Sequence, residues 1–287
     1  MEGRITRIIS NLYTVESNGI EYNCRARGSF RNISLSPLVG DIVDFSESEL
    51  YILNIHKRKN TLTRPNVANI DLCIIVTSLK RPDFSPFLLD KMIVNVVKEN
   101  IEPIICFTKY DLLNEEERNY YNKIISYYES IGYKVFINNE IDKFNRYTAG
   151  SLVVLTGQTG VGKSTFINKL IPEINLETND ISDALGRGKH TTRHTEIYKY
   201  NDTYIVDTPG FSSLEISDDY LDNLRFYFPE FENDSCKFRD CKHLQEIGCK
   251  VQEDVLKGKI LPSRYESYKK MVMKDEGFSL NTKKQQK

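Results

Sequence analysis

The chain has 287 residues, which at about 150 residues per domain predicts two domains, or three if one of them is small. Hydrophobic residues make up 40% and charged residues 28%, which excludes a collagen-like or wholly disordered chain. No apolar stretch approaches the ~20 residues of a membrane span, and the start has no apolar signal-peptide core. We therefore expect a cytoplasmic protein with no membrane partner.

Charge is distributed unevenly along the chain. The totals of 39 basic and 40 acidic residues nearly balance, but residues 236–287 carry 13 basic and 7 acidic residues, while residues 63–235 carry 18 and 26. A basic end on an acidic body favours a polyanionic partner such as nucleic acid, although a solvated surface or a loose tail explains many such runs. Charge raises this hypothesis without settling it.

The first predicted domain covers residues 1–62. Short β-like runs at residues 4–15, 20–25, 41–45 and 50–55 alternate with turn residues such as Asn18 and Gly19. This alternation of short strands and turns predicts a small β-barrel.

The second predicted domain covers residues 63–217, where apolar strands alternate with helical stretches. Strands are predicted at DLCIIVTSL, IEPIICFT, KVFIN, SLVVLTG and TYIVDT, and helices at PFLLDKMIVNVVKEN and NEEERNYYNKIISYYESIG. The alternation predicts an α/β domain with a largely parallel sheet covered on both faces. The third predicted domain, residues 218–287, is mostly helical and ends in a frayed polar tail, GFSLNTKKQQK.

A strand-to-helix turn in the second domain carries the motif GxxxxGKS at residues 157–164. Its glycines let backbone N–H groups surround phosphate oxygens, Lys163 would neutralise the β- and γ-phosphates, and Ser164 would bind Mg²⁺. A glycine-rich turn without function is the alternative. The candidate nucleotide-binding residues here are Gly157, Gln158, Thr159, Gly160, Val161, Gly162, Lys163, Ser164 and Thr165.

The segment TYIVDTPGF places Asp207 at the end of a strand and Gly210 in the following turn. The carboxylate would hold magnesium through water, and the Gly210 N–H would sense a γ-phosphate. Between the two motifs, the basic loop GRGKHTTRH offers a threonine hydroxyl to magnesium, and Thr191 and Thr192 remain equal candidates.

A base-recognition motif, Thr108-Lys109-Tyr110-Asp111, follows the strand IEPIICFT. In guanine-specific GTPases the aspartate accepts hydrogen bonds from guanine N1–H and N2–H while the lysine stem covers the ring. This motif ordinarily follows the phosphate loop, but here it precedes it, so we expect a circularly permuted GTPase core. Because the chain would leave that core just after Asp207, the third domain would be tied to the nucleotide state.

Three of the six cysteines form a cluster with a histidine. Cys24, Cys73 and Cys106 occur singly in apolar runs, as buried thiols do. The remaining residues follow the pattern Cx4CxHx5C, which predicts one structural Zn²⁺ held by four ligands. Three reduced cysteines beside a surface histidine would be the alternative. The candidate zinc ligands are Cys236, Cys241, His243 and Cys249.

Together, these motifs in this order behind a β-barrel closely resemble the circularly permuted ribosome-biogenesis GTPases, in particular the bacterial ribosome small-subunit-dependent GTPase A family. The resemblance covers essentially the whole chain. It implies an OB-fold barrel, a permuted P-loop GTPase and a zinc domain. It also implies late maturation of the small ribosomal subunit, subunit-stimulated GTP hydrolysis, binding of ribosomal RNA near the decoding region, and release of other assembly factors.

The chain departs from the family pattern at two places, and from many other GTPases at a third, Phe211. Thr108 replaces the commoner asparagine, which we expect to remove a tethering side chain. The segment INNEIDKF replaces the usual Ser-Ala that contacts the guanine carbonyl, so that contact is unassigned. Phe211 occupies the place where many GTPases have a water-orienting glutamine. We therefore hypothesise that His190 is catalytic, although His190 would otherwise contact solvent or RNA.

Cations and aromatic residues also mix in the barrel, in a pattern that OB-folds use to stack bases and pair with phosphates. Some of these residues would instead pack the barrel, and Lys57, Arg58 and Lys59 form a basic exit from it. The candidate RNA-binding residues are Tyr22, Arg25, Arg27, Phe30 and Arg31.

Three other functions compete with this interpretation. They are a GTP-dependent switch without a role in assembly, an ATPase, and a zinc-dependent RNA-binding protein with a vestigial nucleotide site. The aspartate of TKYD argues against the ATPase, and Lys163, Ser164 and Asp207 argue against the vestigial site. We expect a monomer away from the ribosome.

Overall fold

The computed structural model describes residues 1–26, 36–63, 66–174, 197–206, 218–231 and 236–284, except for the side chains of residues 63, 218–222 and 274–284. Within these ranges no helix combines the length and apolar character needed to cross a membrane. The structure consists of a barrel, a covered sheet and a C-terminal helical unit.

The barrel confirms the predicted N-terminal architecture. Its strands are β1 (Glu2–Ile9), β2 (Leu12–Ser17), β3 (Ile20–Ala26), β4 (Ile42–Ser46) and β5 (Tyr51–Ile55). They close in the order β1-β2-β3-β5-β4 around Ile5, Val15, Cys24, Val43 and Phe45. The single run predicted at residues 4–15 was wrong, because Ser10 adopts a left-handed conformation and turns the chain between two antiparallel strands.

Next in the chain, the hairpin β6 (Thr61–Thr63) and β7 (Asn66–Ala68) leads into a six-stranded sheet. Its strands are β8 (Leu72–Ser78), β9 (Glu102–Thr108), β10 (Lys134–Ile137), β11 (Leu152–Thr156), β12 (Ile197–Tyr200) and β13 (Thr203–Val206). They lie in the order β10-β9-β8-β11-β13-β12, and only β12 runs antiparallel to its neighbour. The strand that precedes the phosphate loop, β11, therefore lies inside the sheet, between β8 and β13.

Four helices connect these strands and cover the sheet: α1 (Pro86–Lys98), α2 (Glu115–Ser130), α3 (Ile141–Thr148) and α4 (Lys163–Leu170). Separate apolar clusters lie on the two faces of the sheet, as expected of parallel strands buried on both sides. Capping residues in the sequence explain where two of these helices begin. Ser85 caps α1 ahead of Pro86, and Asn114 and Glu117 form a reciprocal capping box at α2.

The C-terminal unit is helical, as predicted. It contains 3-10 turns at Asp218–Tyr227 and Pro229–Phe231, and the helices α5 (Lys250–Leu256) and α6 (Pro262–Lys284). The backbone of α6 remains helical to Lys284, so the prediction of a frayed tail was wrong for residues 277–284, and residues 285–287 lie outside the described residues.

A buried ionic network joins this unit to the sheet domain. Arg264 of α6 is fully buried, and its guanidinium donates hydrogen bonds to Asp90 of α1 at 2.6 Å and to both carboxylate oxygens of Glu230 at 2.7 and 3.0 Å. Tyr128 of α2 donates to the same Asp90 oxygen at 2.7 Å. Burial disfavours the charged guanidinium, but the two carboxylates outweigh it and raise the pKa of Arg264. Separating the partners of such a network would leave a buried charge uncompensated and strongly destabilise the folded state, so this joint is rigid.

Candidate nucleotide site and metal cluster

The phosphate loop connects β11 to α4 at the carboxyl edge of the sheet, where ligands of such sheets bind. Gly157, Gly160 and Gly162 all have positive φ. A Cβ atom on Gly157 would lie 2.2 Å from the carbonyl oxygen of Val76 in β8, so only glycine fits there. Lys163 folds back over the loop and donates to the carbonyls of Gly157 and Gln158 at 2.6 and 2.8 Å. Partial burial lowers the pKa of Lys163.

The two helical residues after Lys163 complete the predicted loop set. Ser164 is half-buried and Thr165 is exposed in the first turn of α4, with Gln158 and Thr159 exposed at the tip of the loop. Backbone N–H groups at the start of this helix have no intrahelical acceptors, which suits an anion.

The base motif meets the phosphate loop directly. The Thr108 hydroxyl donates to the carbonyl of Val161 at 2.6 Å, and the Lys109 ammonium donates to the carbonyl of Gly160 at 2.8 Å. These partners are 53 and 51 residues apart in sequence. The carboxyl ends of β9 and β11 thus bring the two motifs to one edge of the sheet. Asp111 lies exposed in the following 3-10 turn, beside half-buried Tyr110.

The expectation that Thr108 lacks a tethering role was wrong. Its side chain is almost fully buried at the end of β9, where the hydroxyl reaches the loop backbone. A short polar side chain serves here because the loop approaches the strand closely.

Sequence reasoning missed the loop that follows β8. The carbonyl of Arg81 accepts a hydrogen bond from the Lys109 ammonium, and a Cβ atom on Gly160 would lie 4.0 Å from Pro82. This loop therefore bonds to the base motif and lies close to the phosphate loop. The Arg81-Pro82 pair immediately after a buried strand is its only sequence signal, and such a pair predicts a turn without indicating what the turn contacts.

The segment INNEIDKF also lies beside the base motif. Ile137 of β10 pairs with Phe107 of β9, and the Asn138 N–H donates to the Phe107 carbonyl at 2.9 Å. Asn138 is half-buried and Asn139 is exposed. The segment is therefore adjacent to the motif, as the usual Ser-Ala would be.

The remaining predicted nucleotide, magnesium and catalytic residues lie outside the described residues. The strand before them is described: β13 pairs with β11, with Val206 opposite Val154. The residues concerned are His190, Thr191, Thr192, Asp207 and Gly210.

The four predicted zinc ligands come together in the C-terminal unit. Their ligand atoms all lie within 4.8 Å of one another, with Cys249 Sγ 3.4 Å and Cys236 Sγ 3.7 Å from His243 Nδ1. Cys241, His243 and Cys249 are buried. The neighbouring backbone is held in place, because Tyr265 donates to the His243 carbonyl at 2.8 Å.

The chemistry of this donor set fits a metal ion. Burial lowers the pKa of His243, which keeps the imidazole neutral and its lone pair available. Burial, together with Cys249 and Cys236, raises the pKa of Cys241 to about 12. Thiols packed this closely become thiolates only when a cation compensates their charge, as a bound metal does.

The predicted RNA-binding residues divide in two. Tyr22 packs its ring 5.0 Å from that of Phe45 and donates to Glu47, so it partly serves the barrel, whereas Arg25 is exposed. Arg27, Phe30 and Arg31 lie outside the described residues. In the basic exit, Arg58 is committed to buried Asp41 through two hydrogen bonds, and Lys59 pairs with Asp71.

A phosphate loop and a guanine-type base motif that meet in permuted chain order define a circularly permuted P-loop GTPase. Comparison with known proteins agrees: the family profile described as RsgA GTPase matches residues 55–217, and the one described as RsgA N-terminal domain matches residues 2–50. This chain belongs to the RsgA GTPase family and is a GTP hydrolase.

Similar proteins match nearly the whole chain. "Small ribosomal subunit biogenesis GTPase RsgA 1" of Listeria monocytogenes is 46% identical over 93% of this chain and 95% of its own. The protein named "Small ribosomal subunit biogenesis GTPase RsgA" from Enterococcus faecalis is 43% identical over 96% of each. The crystal structure of YjeQ from Thermotoga maritima superposes with a TM-score of 0.83 at 33% identity, covering 96% of this chain and 98% of that one. The structure of YloQ, titled a circularly permuted GTPase, gives 0.82 at 33% identity over 96% and 95%.

The Thr108 contact predicts a measurable effect on nucleotide binding. Thr108→Val keeps the shape of the side chain but removes the hydroxyl that holds the loop at Val161. A net hydrogen bond contributes about 0.5–1.5 kcal/mol, so GDP affinity should fall about threefold to tenfold. Titration of a fluorescent GDP analogue measures this. Thr108→Ser is the matched control and should bind almost as well as wild type. Equal affinity of Thr108→Val and wild type would contradict the assigned role.

Proposed function

We propose that this GTPase acts in late maturation of the small ribosomal subunit, where binding to the subunit stimulates hydrolysis of GTP to GDP and phosphate. The observation that carries the proposal is the contact of Thr108 and Lys109 with the phosphate loop, which builds one guanine-nucleotide site from separated motifs. The names of the relatives, each a small ribosomal subunit biogenesis GTPase, support the choice of partner. We also propose a cytoplasmic location and a role in releasing assembly factors.

In this proposal each motif has a distinct task at the nucleotide. Asp111 accepts hydrogen bonds from the guanine edge, while Lys163 and the loop N–H groups hold the phosphates. Ser164, Asp207 and either Thr191 or Thr192 would hold Mg²⁺, which neutralises charge on the β- and γ-phosphates when bound. Gly210 senses the γ-phosphate.

We propose His190 as the catalytic group that orients the attacking water, since Phe211 has no polar group for this task. The ribosomal subunit would order His190 over the γ-phosphate.

RNA recognition is proposed for the barrel, through exposed Arg25 with Tyr22, Arg27, Phe30 and Arg31, and for the basic C-terminal unit. OB-fold barrels bind single strands by combining cations with aromatic surfaces. The protein would act as a monomer that binds the subunit and its ribosomal RNA.

GTP turnover with purified ribosomal subunits tests the proposed function. Small subunits should raise the turnover rate by at least tenfold, since they would order the catalytic group, whereas large subunits and free RNA should not. Phosphate release at saturating GTP is the measurement, and Lys163→Ala controls for contaminating GTPases. Equal stimulation by large subunits, or none by small ones, would favour a GTP-dependent switch of another class.

We propose that the Cys3His cluster holds one structural Zn²⁺, because four soft and borderline ligands with no open position suit a closed tetrahedral site. The metal would hold together the segment before α5, which Tyr265 of α6 contacts at the His243 carbonyl, in a unit too small to be stable on its apolar core alone.

Metal analysis tests the zinc proposal. Wild-type protein should contain about one zinc per chain, and Cys249→Ser should lose most of it together with thermal stability, because metal binding contributes to folding. Elemental analysis and thermal unfolding measure the two effects. Cys24→Ala, a buried cysteine outside the cluster, should keep its zinc. A zinc-free wild-type protein with an unchanged melting temperature would refute the proposal.

A further inference from the structure

One of the contacts between the barrel and the sheet domain is made by a tyrosine side chain. Tyr204 of β13 donates its hydroxyl to the Glu16 carboxylate of β2 at 2.8 Å. The Arg4 guanidinium lies over the Tyr204 ring, 5.3 Å from its centroid, and the Lys199 ammonium lies 5.4 Å from it. Arg4 and Glu16 are opposite each other in the β1–β2 pair. The contact therefore combines a charge-assisted hydrogen bond with two cation–π contacts.

The position of Glu16 on the barrel is set by close backbone packing. A Cβ atom on Gly3 would lie 2.7 Å from the Glu16 carbonyl and 2.6 Å from Val15. Ile8 of β1 packs against both the barrel core and the core of the sheet domain. A displacement of β1 and β2 is therefore passed to Glu16 and on to Tyr204.

In the sheet domain, Tyr204 belongs to the strand pair β12–β13, which lies in the sequence between the proposed magnesium ligands. Thr191 and Thr192 precede β12, and Asp207 directly follows Val206 at the end of β13. The proposed magnesium ligands therefore flank this strand pair in sequence. The barrel and the strand pair also have different proposed partners. The barrel is proposed to bind RNA, and the strand pair to adjoin the nucleotide.

The two inter-domain joints differ in how readily they can rearrange. At the C-terminal joint, Arg264 is fully buried and bonded to two carboxylates, so breaking it leaves uncompensated buried charge. At the barrel joint, Tyr204 and Glu16 are half-buried and Lys199 is exposed. Arg4 Nη1 at the barrel joint and Asp90 Oδ2 at the C-terminal joint are both buried without a hydrogen-bond partner among the described residues, so the two joints differ in their burial. The barrel joint borders solvent, which suits a contact that changes during the working cycle.

We propose that Tyr204 is a positioning residue that transmits binding of the ribosomal subunit at the barrel to the strand pair β12–β13, and so to the rate of GTP hydrolysis. The inference rests on the proposed function, since it presumes stimulation by the subunit. Burial and the Glu16 carboxylate raise the pKa of Tyr204, so the hydroxyl remains a donor at neutral pH.

Conservative variants of the contact provide the test. Tyr204→Phe removes only the hydroxyl, whereas Glu16→Gln removes the charge and one of the two acceptor oxygens, which bond to the Tyr204 hydroxyl and the Gly19 N–H. GTP turnover is measured at saturating GTP while small subunits are titrated, which gives the intrinsic rate, the maximal stimulated rate and the half-saturating subunit concentration. Tyr120→Phe, an exposed tyrosine of α2, is the matched control, and thermal unfolding reports on folding.

We expect Tyr204→Phe and Glu16→Gln to lower the maximal stimulated rate about tenfold while leaving the intrinsic rate and the half-saturating concentration unchanged. Because the two residues act through one contact, the double variant should be no worse than either single variant. Tyr120→Phe should behave as wild type.

Three results would overturn the inference. The stimulated rate of Tyr204→Phe could equal that of wild type, the loss could lie in the half-saturating concentration, or the intrinsic rate and the melting temperature could fall together, as for a merely structural contact. A wild-type protein that small subunits do not stimulate would overturn the proposed function and this inference with it. If small subunits stimulate wild type and the Tyr204→Phe variant equally, the proposed function stands and only the inference is overturned.

Discussion

Two backbone carbonyls of the phosphate loop accept hydrogen bonds from the base motif, Gly160 from Lys109 and Val161 from Thr108. The loop and the motif lie on different strands, so these bonds hold the two halves of the nucleotide site at one spacing. Because the sheet needs only that the strands be neighbours, the site forms although the chain reaches the motif first. Guanine recognition and phosphate binding can then act on one ligand.

Around this site, the contact that holds the C-terminal unit is fully buried at Arg264, whereas the barrel contact at Tyr204 is half-buried. Arg264 ties the C-terminal unit to α1 and α2 through buried charges, so that unit moves with the sheet domain. The expectation that the C-terminal unit is tied to the nucleotide state through the chain after Asp207 stays a prediction, since residues 207–217 lie outside the described residues. The barrel contact through Tyr204 is half-buried and adjoins the strands that lead to the magnesium motifs. Communication between RNA and nucleotide is therefore expected there.

The main architecture was predictable because its signals are local and repeated. Strand runs, turn residues and the spacing of glycines or cysteines predict the barrel, the sheet and the metal cluster, and parallel strands bring their carboxyl ends to one edge. The single-residue contacts were not predictable. Tyr204 and Arg264 find partners 188 and 174 residues away, and neither belongs to a motif. The role of Thr108 depends on how closely the loop approaches β9, which composition does not reveal.

The most direct measurement of the central claim compares affinities for GTP and inosine triphosphate, which lacks the 2-amino group, in wild type and in Asp111→Ala. A site in which Asp111 pairs with the guanine edge should bind GTP at least about tenfold more tightly in wild type, because the missing group leaves a carboxylate oxygen unpaired. Asp111→Ala should lose that preference yet keep binding through the phosphates. An unchanged preference in Asp111→Ala would show that the motif does not face the nucleotide held by the loop, contradicting the account.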